Sequence, residues 1–441
     1  MRFYIETFGC QMNDHDMDKM ASILINDGYE RIGNLNNADV VIVNTCAVRE
    51  KAEQKFYSLM GRLRLMKKKR KMLLGITGCI AQMEKSGIKE RLPFIDFSLG
   101  PSNIHRIGEA IEHASRKHTF LDFSDNEHTV PLFFKNGHID GGIKSYITIM
   151  KGCDNFCSYC VVPYVRGRET SRESKDIIEE IQDVAGRGVK EVTLLGQNVN
   201  SYNKGQNDLS FPQLLEAINN ILGIQRIRFV TSHPKDLSHE LIRCFGSLEK
   251  LCEHIHLPFQ SGSDRILSLM NRSYTAREYV DKIDLLRDKC PGIAITADCI
   301  VGFPGEDEAA FADTMKLVEE VKFDGIFSFA YSPRKSTVAS TLPDAVPRDA
   351  SLERLAALQD LQKRITLSNN KALEGKRVEV LTEDVSKNSD EDLMGRTRTN
   401  KIVNFKGDKK SMIGKLVMVS VVEGYANSLK GEKPEIEGGI E

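Results

Sequence analysis

The chain is predicted to be an α/β multidomain protein: an N-terminal doubly wound parallel sheet, a central partial (βα)6 barrel and a small antiparallel β-barrel at the C-terminus. Three observations predict this. Strand and amphipathic-helix patterns alternate through the first hundred residues, a second array of six βα units starts near residue 144, and short β segments take over after about 373. A length of 441 residues, about three times the usual domain of roughly 150, leaves room for each part to bury its own core.

In the first part, 1–120, strands are expected at Phe3-Tyr4-Ile5, Val40-Val41-Ile42-Val43, Leu73-Leu74-Gly75-Ile76 and Phe94-Ile95-Asp96-Phe97. Helices fit 14–27, 47–66 and 104–115, the first placing Met17, Met20, Ile23 and Leu24 on one stripe. A Gly-, Asn-, Asp- and His-rich stretch marks a linker over 121–143. The central part, 144–372, has strand patterns at Tyr146–Met150, Glu191–Leu195, Arg226–Val230, His254–Leu257, Ile293–Val301 and Gly325–Ala330, which is fewer than the eight of a closed barrel. A charged helix over Asp349–Leu373 leads to β segments at 377–381, 401–405 and 416–421 within 373–432, and 433–441 reads as a tail.

Hydrophobic residues at 41% and charged residues at 28% are ordinary for a folded chain, and a net charge of −1 produces no global basic field. No apolar run approaches the roughly 18 residues of a membrane span, and Glu6 interrupts any secretory pattern, so a cytoplasmic protein is expected. In that compartment ten cysteines point to metal or redox chemistry rather than disulfides.

Six of the ten have a pattern. Cys153-Asp154-Asn155-Phe156-Cys157-Ser158-Tyr159-Cys160 follows the first strand of the second array and offers three thiolates to one centre. Three thiolates suit a [4Fe–4S] cluster with one iron left open, and a zinc ion completed by a remote His or Cys is the less favoured alternative. All six strand ends of that array carry polar or backbone-permissive residues, as a cofactor site at the carboxyl ends of strands requires. Among them Gln197, Asn198, Ser232 and Gln260 are candidates for holding a nucleoside cofactor. Cys10, Cys46 and Cys79 each end a predicted parallel strand of the first part, which gathers them along one edge of its sheet. They are either buried structural thiols or a second three-thiolate site, and the repeated placement favours the second reading. Cys244, Cys252, Cys290 and Cys299 share no spacing.

The C-x-x-x-C-x-aromatic-C run resembles the signature of the radical S-adenosylmethionine superfamily. Gly9-Cys10-Gln11-Met12-Asn13, Asn44-Thr45-Cys46-Ala47-Val48-Arg49-Glu50-Lys51-Ala52, Gly78-Cys79-Ile80-Ala81-Gln82 and Val161-Val162-Pro163-Tyr164-Val165-Arg166-Gly167-Arg168-Glu169 narrow the likeness to the methylthiotransferases. Gly395-Arg396-Thr397-Arg398-Thr399-Asn400-Lys401 is similar to the TRAM domain, so the resemblance runs nearly the whole length of the chain. The chain departs from the family after Pro333-Arg334, where Lys335-Ser336-Thr337-Val338 replaces the usual Pro-Gly-Thr-Pro.

The resemblance implies two [4Fe–4S] clusters, one at Cys153, Cys157 and Cys160 that cleaves S-adenosylmethionine and an auxiliary one at Cys10, Cys46 and Cys79. It implies a methylthio group placed on C2 of N6-isopentenyladenosine beside the anticodon of tRNA, with S-adenosylmethionine as radical source and methyl donor. The Gln11-Met12-Asn13 and Val48-Arg49-Glu50-Lys51 contexts carry that substrate assignment. Relatives acting on threonylcarbamoyl-adenosine tRNA or on a ribosomal protein are the alternatives, with a noncatalytic zinc-containing RNA-binding protein as the reading from another class. The expected partners are the tRNA, an electron donor such as a flavodoxin or ferredoxin, and a sulfur source, with no membrane, and the chain is expected to be a monomer. For RNA phosphates, Arg396, Arg398, Asn400 and Lys401 on the terminal barrel are the expected contacts, with Lys406, Lys409 and Lys410 nearby in sequence. The run Arg62–Lys71 forms a second basic stretch, which reads equally well as an ordinary solvated helix end.

Overall fold

The computed structural model describes residues 1–47, 50–124, 142–205, 207–386, 389 and 391–432. Val48 and Arg49, most of the expected linker and the expected tail lie outside the described residues. The chain divides into two compact units, one of Met1–Arg187, Leu194–Gln197 and Arg334–Ser340, the other of Gly188–Thr193, Asn198–Pro333 and Thr341–Glu441. This division falls differently from the three-part reading, because the loop bearing Cys153, Cys157 and Cys160 groups with the N-terminal sheet.

The first unit begins with β1 (Arg2–Thr7), α1 (Gln11–Asn26), β2 (Glu30–Arg31), β3 (Val40–Thr45), α2 (Glu50–Lys69), β4 (Leu73–Gly78), α3 (Cys79–Glu84), α4 (Gly87–Arg91), β5 (Phe97–Leu99), α5 (Ile107–Ser115) and β6 (Phe120–Asp122). Its sheet has the order β2-β1-β3-β4-β5-β6 and its pairings are parallel. Strand β3 is buried at every position. Its alternate residues serve opposite faces: Val41 and Val43 pack with Phe56, Met60 and Leu63 of α2, while Val40 and Ile42 pack with Met20 and Leu24 of α1 and Ile107 and Ile111 of α5. Chain order reverses between β1 and β3, and a doubly wound sheet opens a crevice at such a reversal, beyond the carboxyl ends of its strands. Cys10 and Cys46 follow those two strands.

The unit continues with β7 (Lys144–Thr148), β8 (Met150–Lys151), α6 (Val162–Arg166), β9 (Thr170–Ser171) and α7 (Ser174–Gly186). The end of β10 (Glu191–Leu195) also belongs here, and Leu195 O accepts the Ile149 N–H at 2.9 Å.

The second unit starts from the other end of β10, where Lys190 O accepts from Gln225 and Arg226 N–H. It runs through α8 (Phe211–Asn219), β11 (Arg226–Phe229), α9 (His239–Ser247), β12 (His254–His256), α10 (Asp264–Leu269), α11 (Ala276–Lys289), β13 (Ala294–Val301), α12 (Glu308–Val321), β14 (Gly325–Ala330) and α13 (Arg348–Lys371). Strands β12, β13 and β14 form a parallel sheet, and a parallel bridge from Ile227 to Leu251 leads toward it from β11. A closed barrel of order β15-β16-β17-β19-β18 follows, from β15 (Arg377–Val385), β16 (Asp392–Thr397), β17 (Ile402–Lys406), α14 (Lys409–Met412), β18 (Leu416–Gly424) and β19 (Leu429–Gly431). Closure leaves no sheet edge, and Val380, Leu393, Val403, Phe405, Val419 and Leu429 fill the interior. Among the described residues, no helix is long and apolar enough to cross a membrane.

Candidate metal centres and cofactor site

Parallel register aligns the ends of β1, β3 and β4: Thr7 pairs with Asn44, and Asn44 with Thr77. Cys10, Cys46 and Cys79 each come two or three residues later, so the fold brings all three expected residues to one sheet edge. Two features hold the edge in shape. The buried Asn13 gives its amide N–H to Thr45 O at 2.8 Å, receives the Asn44 amide on its own carbonyl at 2.8 Å, and accepts the Cys10 thiol at 3.3 Å. Gly78 has φ of +93°, and a Cβ there would stand 2.5 Å from Thr45 O. The Cys10 thiol is lowered to about 6, first by its hydrogen bond with Cys46 and then by the Arg166 guanidinium, against the opposing effect of burial. Burial pushes the Cys79 thiol up, and Arg166 pulls it back.

Cys153, Cys157 and Cys160 lie half-buried on a loop whose base is closed by antiparallel pairing of β8 with β9. The loop is wound by backbone hydrogen bonds: Cys153 N–H donates to Gly167 O at 3.3 Å, and Cys160 N–H to Cys157 O at 2.9 Å. Backbone and side-chain donors turn toward the sulfurs, with Val162 N–H 3.5 Å from Cys160 Sγ and the Asn155 amide 3.5 Å from Cys153 Sγ. Gly152 is required, since its φ is +75° and a Cβ would meet Arg168 O at 1.9 Å. Burial raises the Cys153 thiol. Among the described residues, no three His, Cys, Asp or Glu side chains close around a single ion. A four-iron cluster takes each thiolate on a different iron, so its ligands need not meet at a point, and an all-thiol donor set suits it.

The four expected cofactor residues separate. Gln197 accepts the Gly152 N–H on its amide oxygen at 2.5 Å, which makes it a strut for the cysteine loop. In the second unit, Asn198 donates to Asp236 at 2.8 Å and leaves its buried Oδ1 without a hydrogen-bond partner among the described residues. Ser232 Oγ and Gln260 Oε1 are likewise buried without a partner among the described residues, and Gln260 holds φ at +68°. Buried polar atoms are nearly always paired, so these acceptors suit a polar ligand such as a nucleoside. His233, which the sequence offers only as part of a strand-end turn, belongs with them. Its Nδ1 accepts the Lys235 N–H at 3.2 Å, its Nε2 is buried without a partner among the described residues, and burial followed by Arg272, Lys235 and Lys282 lowers it to about 2.

The barrel residues expected at RNA differ in their surroundings. Arg398 makes a forked pair with the Glu253 carboxylate at 2.7–3.0 Å and donates to Glu249 O and Leu251 O. Lys401 Nζ lies 2.6 Å from Asp324 and 3.0 Å from Asn370. Both charges are paired within the second unit. From the other side, Arg226 donates to Arg396 O at 2.7 Å and Arg228 to Thr397 O and Arg398 O at 2.7 and 2.9 Å. Arg396 and Asn400 are half-exposed and meet each other at 3.2 Å, whereas Lys406, Lys409 and Lys410 are exposed. In the first unit, the basic run at the end of α2 is partly structural, with Lys67 paired to Asp96 and Arg70 bonded to Ala38 O and Leu35 O.

The cysteine loop at the head of a βα array defines a radical S-adenosylmethionine protein: residues 147–318 match the Radical SAM superfamily, with residues 2–100 matching the family described as Uncharacterized protein family UPF0004 and 371–433 the TRAM domain. Two structures of the radical S-adenosylmethionine methyltransferase TsrM from Kitasatospora setae, one with tryptophan and a SAM analog and one with cobalamin and a [4Fe-4S] cluster, share the fold at 12% identity. Their TM-scores are 0.57 and 0.59, covering 74% and 77% of this chain and 72% and 73% of theirs. Much nearer are tRNA-2-methylthio-N(6)-dimethylallyladenosine synthases, at 51% identity in Geobacter metallireducens (97% of each chain) and 50% in Syntrophus aciditrophicus (97% of this chain, 94% of the other). The chain belongs to that family.

Proposed function

We propose that the chain installs a methylthio group at C2 of N6-isopentenyladenosine beside the anticodon of tRNA, using S-adenosylmethionine as radical source and methyl donor. The observation that carries this is the presence of two three-cysteine sets at strand or loop ends, in a chain of this family. Bound at Cys153, Cys157 and Cys160, a [4Fe–4S] cluster supplies the electron for reductive cleavage of S-adenosylmethionine. We assign a second cluster, the site of sulfur, to Cys10, Cys46 and Cys79. Gln197 and Gly152 shape the first loop, while Asn198, Ser232, His233 and Gln260 offer polar atoms to the nucleoside cofactor. Lys406, Lys409 and Lys410, with Arg396 and Asn400 beside them in sequence, contact the RNA phosphates. An electron donor such as a flavodoxin or ferredoxin and a separate sulfur source complete the reaction, and the chain acts as a monomer. In this reading residues 1–120, 144–372 and 373–432 carry sulfur, radical chemistry and RNA affinity respectively.

The anaerobically reconstituted protein should hold roughly eight iron atoms per chain, from two four-iron clusters. Replacing Cys10, Cys46 and Cys79 together by Ala should leave about half of the iron. Reductive S-adenosylmethionine cleavage should persist and methylthiolation should cease. Methylthiolation of tRNA by that triple variant would refute the auxiliary assignment.

A further inference from the structure

Helix α2 of the first unit carries seven cations and two acids, and both acids are engaged: Glu50 accepts the Gln54 amide at 3.2 Å, and Glu53 pairs with Arg334 at 2.5 Å. Lys51, Lys55, Arg62 and Lys69 follow one another at intervals of 4, 7 and 7 residues, each close to a whole number of turns of about 3.6 residues, so they stand in one row about 27 Å long. All four are exposed, and none has an acidic partner among the described residues. The row runs along the side away from Phe56, Met60 and Leu63, which are buried in the core against β3. Helix stability does not account for it. Lys69 in the last turn suits the helix dipole, but Lys51 stands in the first turn, where the dipole opposes a cation, and Lys51 and Lys55 are like charges at i and i+4.

The surroundings of the row select its partner. A protein interface needs apolar or aromatic anchors at its centre and is poor in lysine. Here Leu65 is the one exposed apolar side chain of the helix, Phe56 is buried, and Tyr57 is half-buried beneath the Arg91 guanidinium, 4.6 Å from its ring centroid. Unstacked bases need aromatic platforms, which this face also lacks. A straight, rigid row of cations without either feature matches the phosphates of a base-paired stem, which is bound through its backbone and shape. We propose that the exposed row on α2 is a second RNA-binding surface, separate from the terminal barrel, and that it takes the sugar–phosphate backbone of a base-paired stem of the tRNA. The inference rests on the tRNA reading above.

The test uses the full chain, anaerobically reconstituted, with tRNA carrying N6-isopentenyladenosine as the probe. Replacing Lys51, Lys55, Arg62 and Lys69 together by Gln alters exposed side chains, so iron content and melting temperature should stay at the parent values. The affinity for tRNA at about 0.1 M salt should fall at least tenfold, and the plot of log affinity against log salt should become shallower by about two to three units, at somewhat under one unit per phosphate. Arginine in place of the three lysines should keep the parent slope, because either cation neutralises a phosphate. A nuclease specific for base-paired RNA should find a stem protected by the parent and open in the Gln variant, with the anticodon loop protected in both. Lys51→Gln/Lys55→Gln should give about half the change in slope, and it decides the matter if the fourfold variant does not assemble. An unchanged slope with stem protection retained overturns the proposal and leaves the row a solvated face. It is also overturned, in favour of an acidic protein partner, if the slope is unchanged while S-adenosylmethionine cleavage driven by flavodoxin is lost and cleavage driven by dithionite is kept. If the parent itself does not bind tRNA, the tRNA reading fails and the proposal falls with it.

Discussion

Replacing Arg228 by Met should cost about 4 kcal/mol of stability in the second unit, because it breaks one side of a buried ion pair. Arg228 Nε lies 2.9 Å from the Glu191 carboxylate, with side-chain exposures of 6% and 3%. Its two terminal nitrogens satisfy Thr397 O and Arg398 O on the barrel. Methionine fills much of the volume but leaves Glu191 as a buried charge and two carbonyls with fewer donors. For units of 150–250 residues each kcal/mol moves the melting temperature by roughly 2–4 °C, so a fall of about 10 °C is expected in a reversible thermal scan, or a matching shift of the urea midpoint. The double variant Arg228→Met/Glu191→Gln removes the stranded charge and should recover part of that loss. A single-variant cost below about 1 kcal/mol would refute the reasoning, as would a double variant no better than the single one.

Arg398→Ala should likewise lower stability while leaving the salt dependence of tRNA binding unchanged, since its charge is spent on Glu253. Replacing Lys406, Lys409 and Lys410 by Gln should weaken tRNA binding and flatten a plot of log affinity against log salt, by somewhat under one unit for each phosphate that the variant no longer neutralises. Iron content should stay the same, and an unchanged slope would remove these lysines from the interface. His254 is held well below its ordinary value by burial and by the nearby Arg228, His256, Arg396 and Lys401. Its contribution is therefore present above about pH 6.5 and lost as pH falls below it, when the unfolded chain takes up a proton that the folded one refuses, at up to about 1.4 kcal/mol per pH unit. Urea midpoints between about pH 7.5 and 5.5 should fall less steeply in His254→Gln than in the parent, and equal slopes would contradict the assignment.

The gathering of Cys10, Cys46 and Cys79 at one sheet edge was legible because topology constrains it: a parallel sheet aligns the carboxyl ends of its strands, and Thr7, Asn44 and Thr77 take the register that alternating strand and helix patterns demand. Barrel closure was less visible. Strand β16, Asp-Leu-Met-Gly-Arg-Thr, has a weak apolar alternation, and its Gly395 answers a crowding that only the fold creates, a Cβ there standing 2.3 Å from Leu381 O. Charge partners were the least legible. A sequence counts the cations Arg398 and Lys401 without showing their partners, such as Glu253, 145 positions away from Arg398. Arg226 opens an expected strand, and the sequence does not show that it is fully buried and donates to Arg396 O across 170 positions. Arg166 stands inside the stretch that follows the cysteine loop, and only its burial beside Asp16 and Cys79 separates it from its near neighbour Arg168, whose side chain is 66% exposed.

The central claim is that this chain removes hydrogen from C2 of a prenylated adenine and places sulfur there. It is tested most directly with tRNA deuterated at C2 of its N6-isopentenyladenosine. As methylthio product forms, deuterium should appear in 5′-deoxyadenosine, with two S-adenosylmethionine molecules consumed per product. Methylthiolated tRNA without deuterium in 5′-deoxyadenosine would contradict the account.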